Sequence, residues 1–162
     1  MTGLDVKKER IIEVAAIVTD LNFKELASYE SVVKQDQKYI DAMDDWNKKT
    51  HGESGLTAKI PNGVAETVVE TNLIELIAKN FPRGERAVLA GNSISQDRLF
   101  IDEYMPKLSQ ALHYRMLDVT AWKVLMVNKF KVEFKKKNQH RAIDDIRESI
   151  EELKHYLQYV KF

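Results

Sequence analysis

The stretch RAVLAGNSISQDRLF, residues 86–100, decides the fold. Its first half is a short apolar run that closes on a Gly91-Asn92 turn, which predicts a buried strand. Its second half changes to helical spacing, and a helix is predicted from about Gln96 to Tyr104. The same alternation follows at once. The run YRMLDV (114–119) predicts another short strand, leading into a helix around Trp122. Strands that alternate with helices are joined by crossovers and lie parallel, so the second half of the chain predicts a layered α/β fold.

Working outward, the N-terminal half has a different texture. A turn-like Thr2-Gly3-Leu4-Asp5 precedes an apolar run from Ile11 to Val18, read as a strand buried on both faces. Glu25 to Lys34 predicts a second strand paired with it as a hairpin. From Asp36 to Trp46 the pattern is helical and polar, and residues 51–63 (HGESGLTAKIPNG) read as a loop-rich patch. Val64 to Asn80 predicts an amphipathic helix with Ala65, Val69, Leu73, Leu76 and Ile77 on one stripe, stopped by Phe81-Pro82-Arg83-Gly84. Residues 130–139 read as a basic loop. A last helix is predicted from Arg141 to Gln158, with Ile146, Ile150, Leu153 and Leu157 as its core stripe. No repeat or low-complexity segment interrupts this order, so residues 1–162 are expected to form a single domain.

Composition narrows the function. The formal net charge is zero, so no global field draws in nucleic acid or an anionic surface. Local basic clusters remain, Lys135-Lys136-Lys137 among them; such a run is ordinarily a solvated loop. No apolar stretch has the length of a membrane span, and no signal peptide precedes the fold, so a cytoplasmic protein without a membrane partner is expected. The chain has no cysteine, which excludes disulfides and thiolate metal sites.

In an open α/β sheet, polar residues at the C-terminal ends of strands are where chemistry gathers. Asp97 falls in the first turn of the helix after RAVLAGN. Asp144 and Asp145 fall in the first turn of the last helix, Asp145 at the edge of its apolar stripe, and His140 lies just before that helix. Each aspartate alone is explained by the helix dipole, and the histidine alone by capping. Taken together they suit hydrolysis assisted by divalent cations, because hard Mg²⁺ or Mn²⁺ prefers carboxylate oxygen and a histidine near neutrality can accept a proton from water. Two carboxylates are few for two dications. Glu13 lies within the first predicted strand and Asp118 ends another, and neither forms an Asp-x-Glu pair at a strand end.

These motifs resemble those of the DEDDh 3′–5′ exonucleases, and of oligoribonuclease within them. The match runs through MTGLD (1–5), DDWNKKTHGESGL (44–56), GNSISQDRLF (91–100), HYRMLDV (113–119), HRAIDD (140–145) and AIDDIRES (142–149), in family order and over essentially the whole chain. The resemblance implies an RNase H-like α/β fold, a five-stranded mixed sheet flanked by helices. It implies a homodimer that removes nucleotides from the 3′ end of short single-stranded RNA, chiefly dinucleotides, by two-metal hydrolysis to nucleoside 5′-monophosphates. By motif match Asp97 and Asp145 are metal ligands for Mg²⁺ or Mn²⁺, and His140 is the general base. Leu4 and Trp46 contact the bases. His51, Ser93, Arg115 and Thr120 gather around the terminal 5′ phosphate. Tyr114 reaches the active site of the partner subunit.

The family's first motif reads Asp-Leu-Glu-Met-Thr-Gly-Leu, and this sequence starts at its Met. The expectation is therefore that the first strand, with the Asp and Glu that hold both metals, is missing and that two of four metal carboxylates remain. Two other readings use the same residues: a non-catalytic fragment that binds short RNA, and an exonuclease that acts on DNA 3′ ends. Simpler roles also stand beside the site roles. Trp46 could close a helix against the core, and Tyr114 could be a core or interface aromatic. Arg115 could pair with Asp118, Thr120 could cap a helix beginning at Ala121, and Leu4 could be plain core.

Overall fold

A computed structural model describes residues 1–135 and 142–160. The described elements run β1 (Glu13–Thr19), β2 (Glu25–Val32), α1 (Gln37–Asp41), α2 (Asp45–Glu53), α3 (Leu56–Lys59), a 3₁₀ turn (Ile60–Asn62), α4 (Glu66–Asn80), β3 (Ala87–Gly91), α5 (Ile94–Tyr104), α6 (Pro106–Ala111), β4 (Leu112–Asp118), α7 (Val119–Leu125), a π-helical turn (Met126–Phe130) and α8 (Ala142–Leu157). The mixed α/β class follows the sequence reading.

The strands form two pairs. β1 and β2 are an antiparallel hairpin, with Ala16 opposite Tyr29 and a bulge between Val18 and Thr19. β3 and β4 are parallel, with Leu89 opposite Met116 and Gly91 opposite Asp118. Among the described residues there are thus four strands, the number expected of a five-stranded sheet without its first strand, but they lie in two two-stranded sheets rather than one. The parallel pair is joined through α5 and α6, the long crossover a parallel connection needs.

A core of Val69 and Leu73 from α4, Phe100 from α5, Leu108 from α6, and Ala87 and Leu112 from the parallel strands holds these layers together. Ile11 and Ile12 precede β1 and are deeply buried, yet they enter different clusters. Ile11 joins that core, while Ile12 packs with Ile40, Met43, Leu56 and Ile60 under α1 to α3. Alternating side chains of an extended chain point to opposite sides, so one dipeptide fastens two clusters. Gly63 allows a third attachment. A Cβ there would lie 2.7 Å from the backbone nitrogen of Lys34, and its absence lets Val64 bond back to Val32.

Several boundaries differ from expectation. The first strand begins at Glu13 rather than Ile11, and only Val18 within it is buried, so it is not sealed on both faces. β3 alternates instead of being buried throughout, with Val88 turned out. Residues 51–63 are largely helical rather than loop. Gly55 at positive φ makes the turn from α2 to α3, so the Gly and Ser residues there are junctions, not a coil. The last helix buries Ser149, Glu152, Leu153 and Tyr156, so its inward face is rotated from the expected Ile146–Leu157 stripe and is partly polar. Among the described residues no helix is long and apolar enough to cross a membrane.

Candidate active site

The C-terminal ends of β3 and β4 lie side by side, since Gly91 pairs with Asp118; β4 runs straight into α7, and β3 reaches α5 through the two-residue turn Asn92-Ser93. Ser93 sits between β3 and α5 in the left-handed region at φ 51°, an uncommon conformation for serine. Its backbone N–H donates to Asp118 Oδ1 at 3.1 Å and to Thr120 Oγ1 at 2.8 Å. Its hydroxyl lies 3.3 Å from the Thr120 hydroxyl. Two expected phosphate contacts, Ser93 and Thr120, are therefore adjacent.

The helix after β4 begins at Val119, two residues earlier than Ala121, and Asp118 is its cap, accepting from the Thr120 N–H at 2.8 Å. Thr120 is not the cap. Its hydroxyl is turned instead to Ser93 and to Asn92 Oδ1, 3.4 Å away.

Asp97 lies in the first turn of α5, half-buried. Burial pushes its carboxyl above the usual range, against pulls downward from its own backbone N–H and from the positive charge at Met1. Burial also pushes the Met1 amine down, while the carboxylates of Asp97, Glu13 and Glu9 hold it up. A carboxylate raised in this way is under-compensated, and an added cation would reverse the shift.

The N-terminal loop lies over this turn. Gln96 donates to the Leu4 carbonyl at 2.6 Å, and His51 Nε2 lies 3.1 Å from the Met1 carbonyl oxygen. Burial lowers the His51 imidazole, and the positive charge at Met1 lowers it further. Leu4 is 74% exposed and Trp46, in the first turn of α2, is 68% exposed. Neither is a core residue, contrary to the simpler reading of each. Leu4, His51 and Asp97 are thus gathered around one segment. Trp46 stands on the same helix as His51.

Tyr114 and Arg115 are set apart on β4. Tyr114 is 70% exposed and stacked on His113 with ring centres 4.5 Å apart, and the Arg115 guanidinium lies 5.1 Å from the Tyr114 ring. No ion pair joins Arg115 to Asp118 among the described residues; Asp118 is engaged by backbone N–H groups instead.

Asp145 is exposed in the first turn of α8. Its carbonyl accepts from the Ser149 hydroxyl at 2.8 Å, and Ser149 Oγ accepts in turn from Asn92 at 2.7 Å. The helix of Asp145 is thereby tied to the junction that leads to Asp97. His140 lies outside the described residues. Asp97 and Asp145 offer the hard oxygens that Mg²⁺ and Mn²⁺ prefer. Among the described residues, however, no group of three or more His, Asp or Glu is gathered closely enough to hold an ion. The described donors do not by themselves make a complete cation cage.

Sequence reasoning missed the polar links of this region: Asn92, Asp118, Gln96, Ser149 and Glu152. Asn92 and Asp118 were findable, because Asn92 directly follows β3 and Asp118 ends β4. Glu152 gave no signal, since nothing in its spacing distinguishes it from the solvent-facing acids of α8.

Residues 1–153 match the RNase_T exonuclease family. The chain is 46% identical over 165 residues to an oligoribonuclease of Bordetella pertussis, covering 99% of this chain and 91% of that one. It is 45% identical over 163 residues to an oligoribonuclease of Francisella tularensis subsp. novicida, covering 98% and 90%. Against an oligoribonuclease of Haemophilus influenzae it is 44% identical over 165 residues, covering 98% and 90%.

Proposed function

Because the chain belongs to the RNase_T exonuclease family, we propose that it is a 3′–5′ exoribonuclease that degrades short single-stranded RNA, chiefly dinucleotides, to nucleoside 5′-monophosphates. The observation that carries this reading is the convergence at the ends of β3 and β4. There a half-buried carboxylate, Asp97, stands on the helix whose entry holds the Ser93 and Thr120 hydroxyls together.

In this reading the Ser93 and Thr120 hydroxyls bind the terminal 5′ phosphate, with His51 and Arg115 as its further contacts. The exposed side chains of Leu4 and Trp46 hold the bases, since flat or branched apolar groups pack on base faces at little loss of specificity. Asp97 and Asp145 would supply carboxylate oxygens to two divalent cations, Mg²⁺ or Mn²⁺. When bound, such ions lower the pKa of water and stabilise charge on the attacking and leaving oxygens. His140 takes the proton of the attacking water. Tyr114, exposed on β4, serves the active site of the partner subunit in a homodimer.

The assay is release of labelled nucleoside monophosphate from a 5′-labelled RNA dinucleotide in Mn²⁺, with Asp97→Asn alongside. Turnover by the wild type and loss in the variant are expected. No turnover, or equal turnover by both, contradicts the reading. A 20-residue single-stranded DNA is expected to be cleaved far more slowly; equal rates point to a DNA 3′-end exonuclease instead.

A further inference from the structure

The buried face of α8 contains a carboxyl that the proposed chemistry does not use. Glu152 is fully buried, and a carboxyl is retained in such a place only when it is well engaged. Its Oε2 accepts from Asn92 Nδ2 at 3.2 Å, and its Oε1 accepts from the Tyr156 hydroxyl at 2.9 Å. Burial, reinforced by the Glu152 bond, pushes the Tyr156 phenol up to about 12, so it stays a donor.

Asn92 is the hub. One amide N–H₂ reaches both Ser149 Oγ and Glu152, and its carbonyl oxygen faces the Thr120 hydroxyl. Thr120 continues to the Ser93 N–H, which enters the Asp97 helix. Ser149 continues to the carbonyl of Asp145. One connected network therefore joins three strand-to-helix or loop-to-helix junctions: those before Asp97, beside Thr120, and at Asp145.

Resting on the exoribonuclease reading above, we propose that Glu152 is a positioning residue: by holding Asn92 against α8 it fixes the Asp145 turn relative to Asp97 and the Ser93–Thr120 pair. The amide of asparagine can rotate about its last torsion and present oxygen or nitrogen to either side. Glu152, an acceptor, selects the orientation that sends N–H₂ to α8 and the carbonyl to Thr120. Without it the N–H₂ keeps only the Ser149 hydroxyl, a group that can donate as well as accept, so the direction of the hub is less firmly fixed. Tyr156 approaches the other oxygen of Glu152 and, among the described residues, forms no hydrogen bond with the junctions.

The test compares Glu152→Met, which keeps the length but removes the acceptor, with Glu152→Gln, which can restore one, and Tyr156→Phe, which perturbs the same buried region without reaching Asn92. Steady-state kinetics on an RNA dinucleotide in Mn²⁺ are read beside deuterium uptake of the peptides covering residues 91–97 and 145–150, measured without metal or substrate. Glu152→Met is expected to lower kcat by about tenfold to a hundredfold, the usual cost of misplacing reactive groups slightly, with KM within about twofold. Uptake rises in both peptides. Glu152→Gln recovers most of kcat, and Tyr156→Phe lowers Tm but leaves kcat within about twofold.

Unchanged uptake in Glu152→Met overturns the proposal, as does an unchanged kcat in a variant that shows increased uptake. A Tyr156→Phe loss equal to that of Glu152→Met also overturns it, because general loosening then suffices. A wild type that cleaves no RNA overturns the exoribonuclease reading itself, and the uptake data then report only on the clamp as structure. If Glu152→Met does not fold, Asn92→Ala carries the same kinetic and uptake expectations.

Discussion

Replacing Glu70 with methionine should destabilise the protein by about 2–4 kcal/mol, a value that follows from how α6 starts. Pro106 is the first residue of that helix and has no N–H to satisfy. The next donors, Lys107 and Leu108, both point at Glu70 Oε1 across the α4–α6 contact, at 2.7 and 3.1 Å. The Ser109 N–H is already bonded to the Met105 carbonyl. Glu70 is only 7% exposed, so water cannot easily take its place. Bonds to a charged acceptor contribute about 1.5–3 kcal/mol each, and two that share one oxygen give less than twice that. Methionine fills the volume and recovers some apolar burial, which keeps the estimate near the lower part of the summed range. For a chain of this size each kcal/mol shifts Tm by about 2–4 °C, so Tm should fall by roughly 4–16 °C. Glu70→Gln retains an uncharged acceptor and should lose less than half as much. Urea unfolding at pH 7 with both variants decides the matter. A methionine variant within about 0.5 kcal/mol of wild type, or a glutamine variant as damaged as methionine, refutes the reasoning.

Other predictions follow from the same structure. Phe100→Ala, at 1% exposure in the main core, should cost about 3–5 kcal/mol in urea unfolding, and a loss under 1.5 kcal/mol would contradict the packing described. Asp97→Asn should raise Tm at pH 7 while removing turnover, because burial disfavours the charged carboxyl that the proposed reaction needs; a lowered Tm contradicts the burial argument. His51 has its folded pKa below its ordinary 6.5, so its contribution is intact above that value and is lost as pH falls through 6.5 toward the folded pKa. His51→Gln should flatten the fall in Tm between pH 7 and pH 5, and an unchanged slope contradicts it. Thr120→Val removes one acceptor of the Ser93 N–H and the proposed phosphate contact, and should raise KM for a 5′-phosphorylated dinucleotide more than for an unphosphorylated one; equal changes contradict the phosphate role.

The strand-to-helix alternation after residue 86 was legible because Gly91-Asn92 and Asp118 mark strand ends that have the same meaning locally and in the fold. Asp97 was legible for the same reason. The inward face of α8 was not, because periodicity counts apolar residues and Ser149 and Glu152 are polar groups whose partners come from β3. The helices in residues 51–63 were hidden by glycine and serine residues that serve as junctions between short turns. The capping alternative for Thr120 could not be decided from sequence, because Asp118, two residues earlier, is an equally good cap and only the position of the Val119 start separates them. Exposure of Leu4 and Trp46 is a tertiary outcome that their residue types argue against.

The central claim is tested most directly by polarity and dependence measured together. An RNA trinucleotide labelled at its 5′ end is incubated with the protein and Mn²⁺, and the labelled products are resolved over time. The account predicts a labelled dinucleotide before any labelled mononucleotide, and no product in excess chelator or with Asp97→Asn. A labelled mononucleotide released first, or products that persist with chelator or in the Asp97 variant, would contradict it.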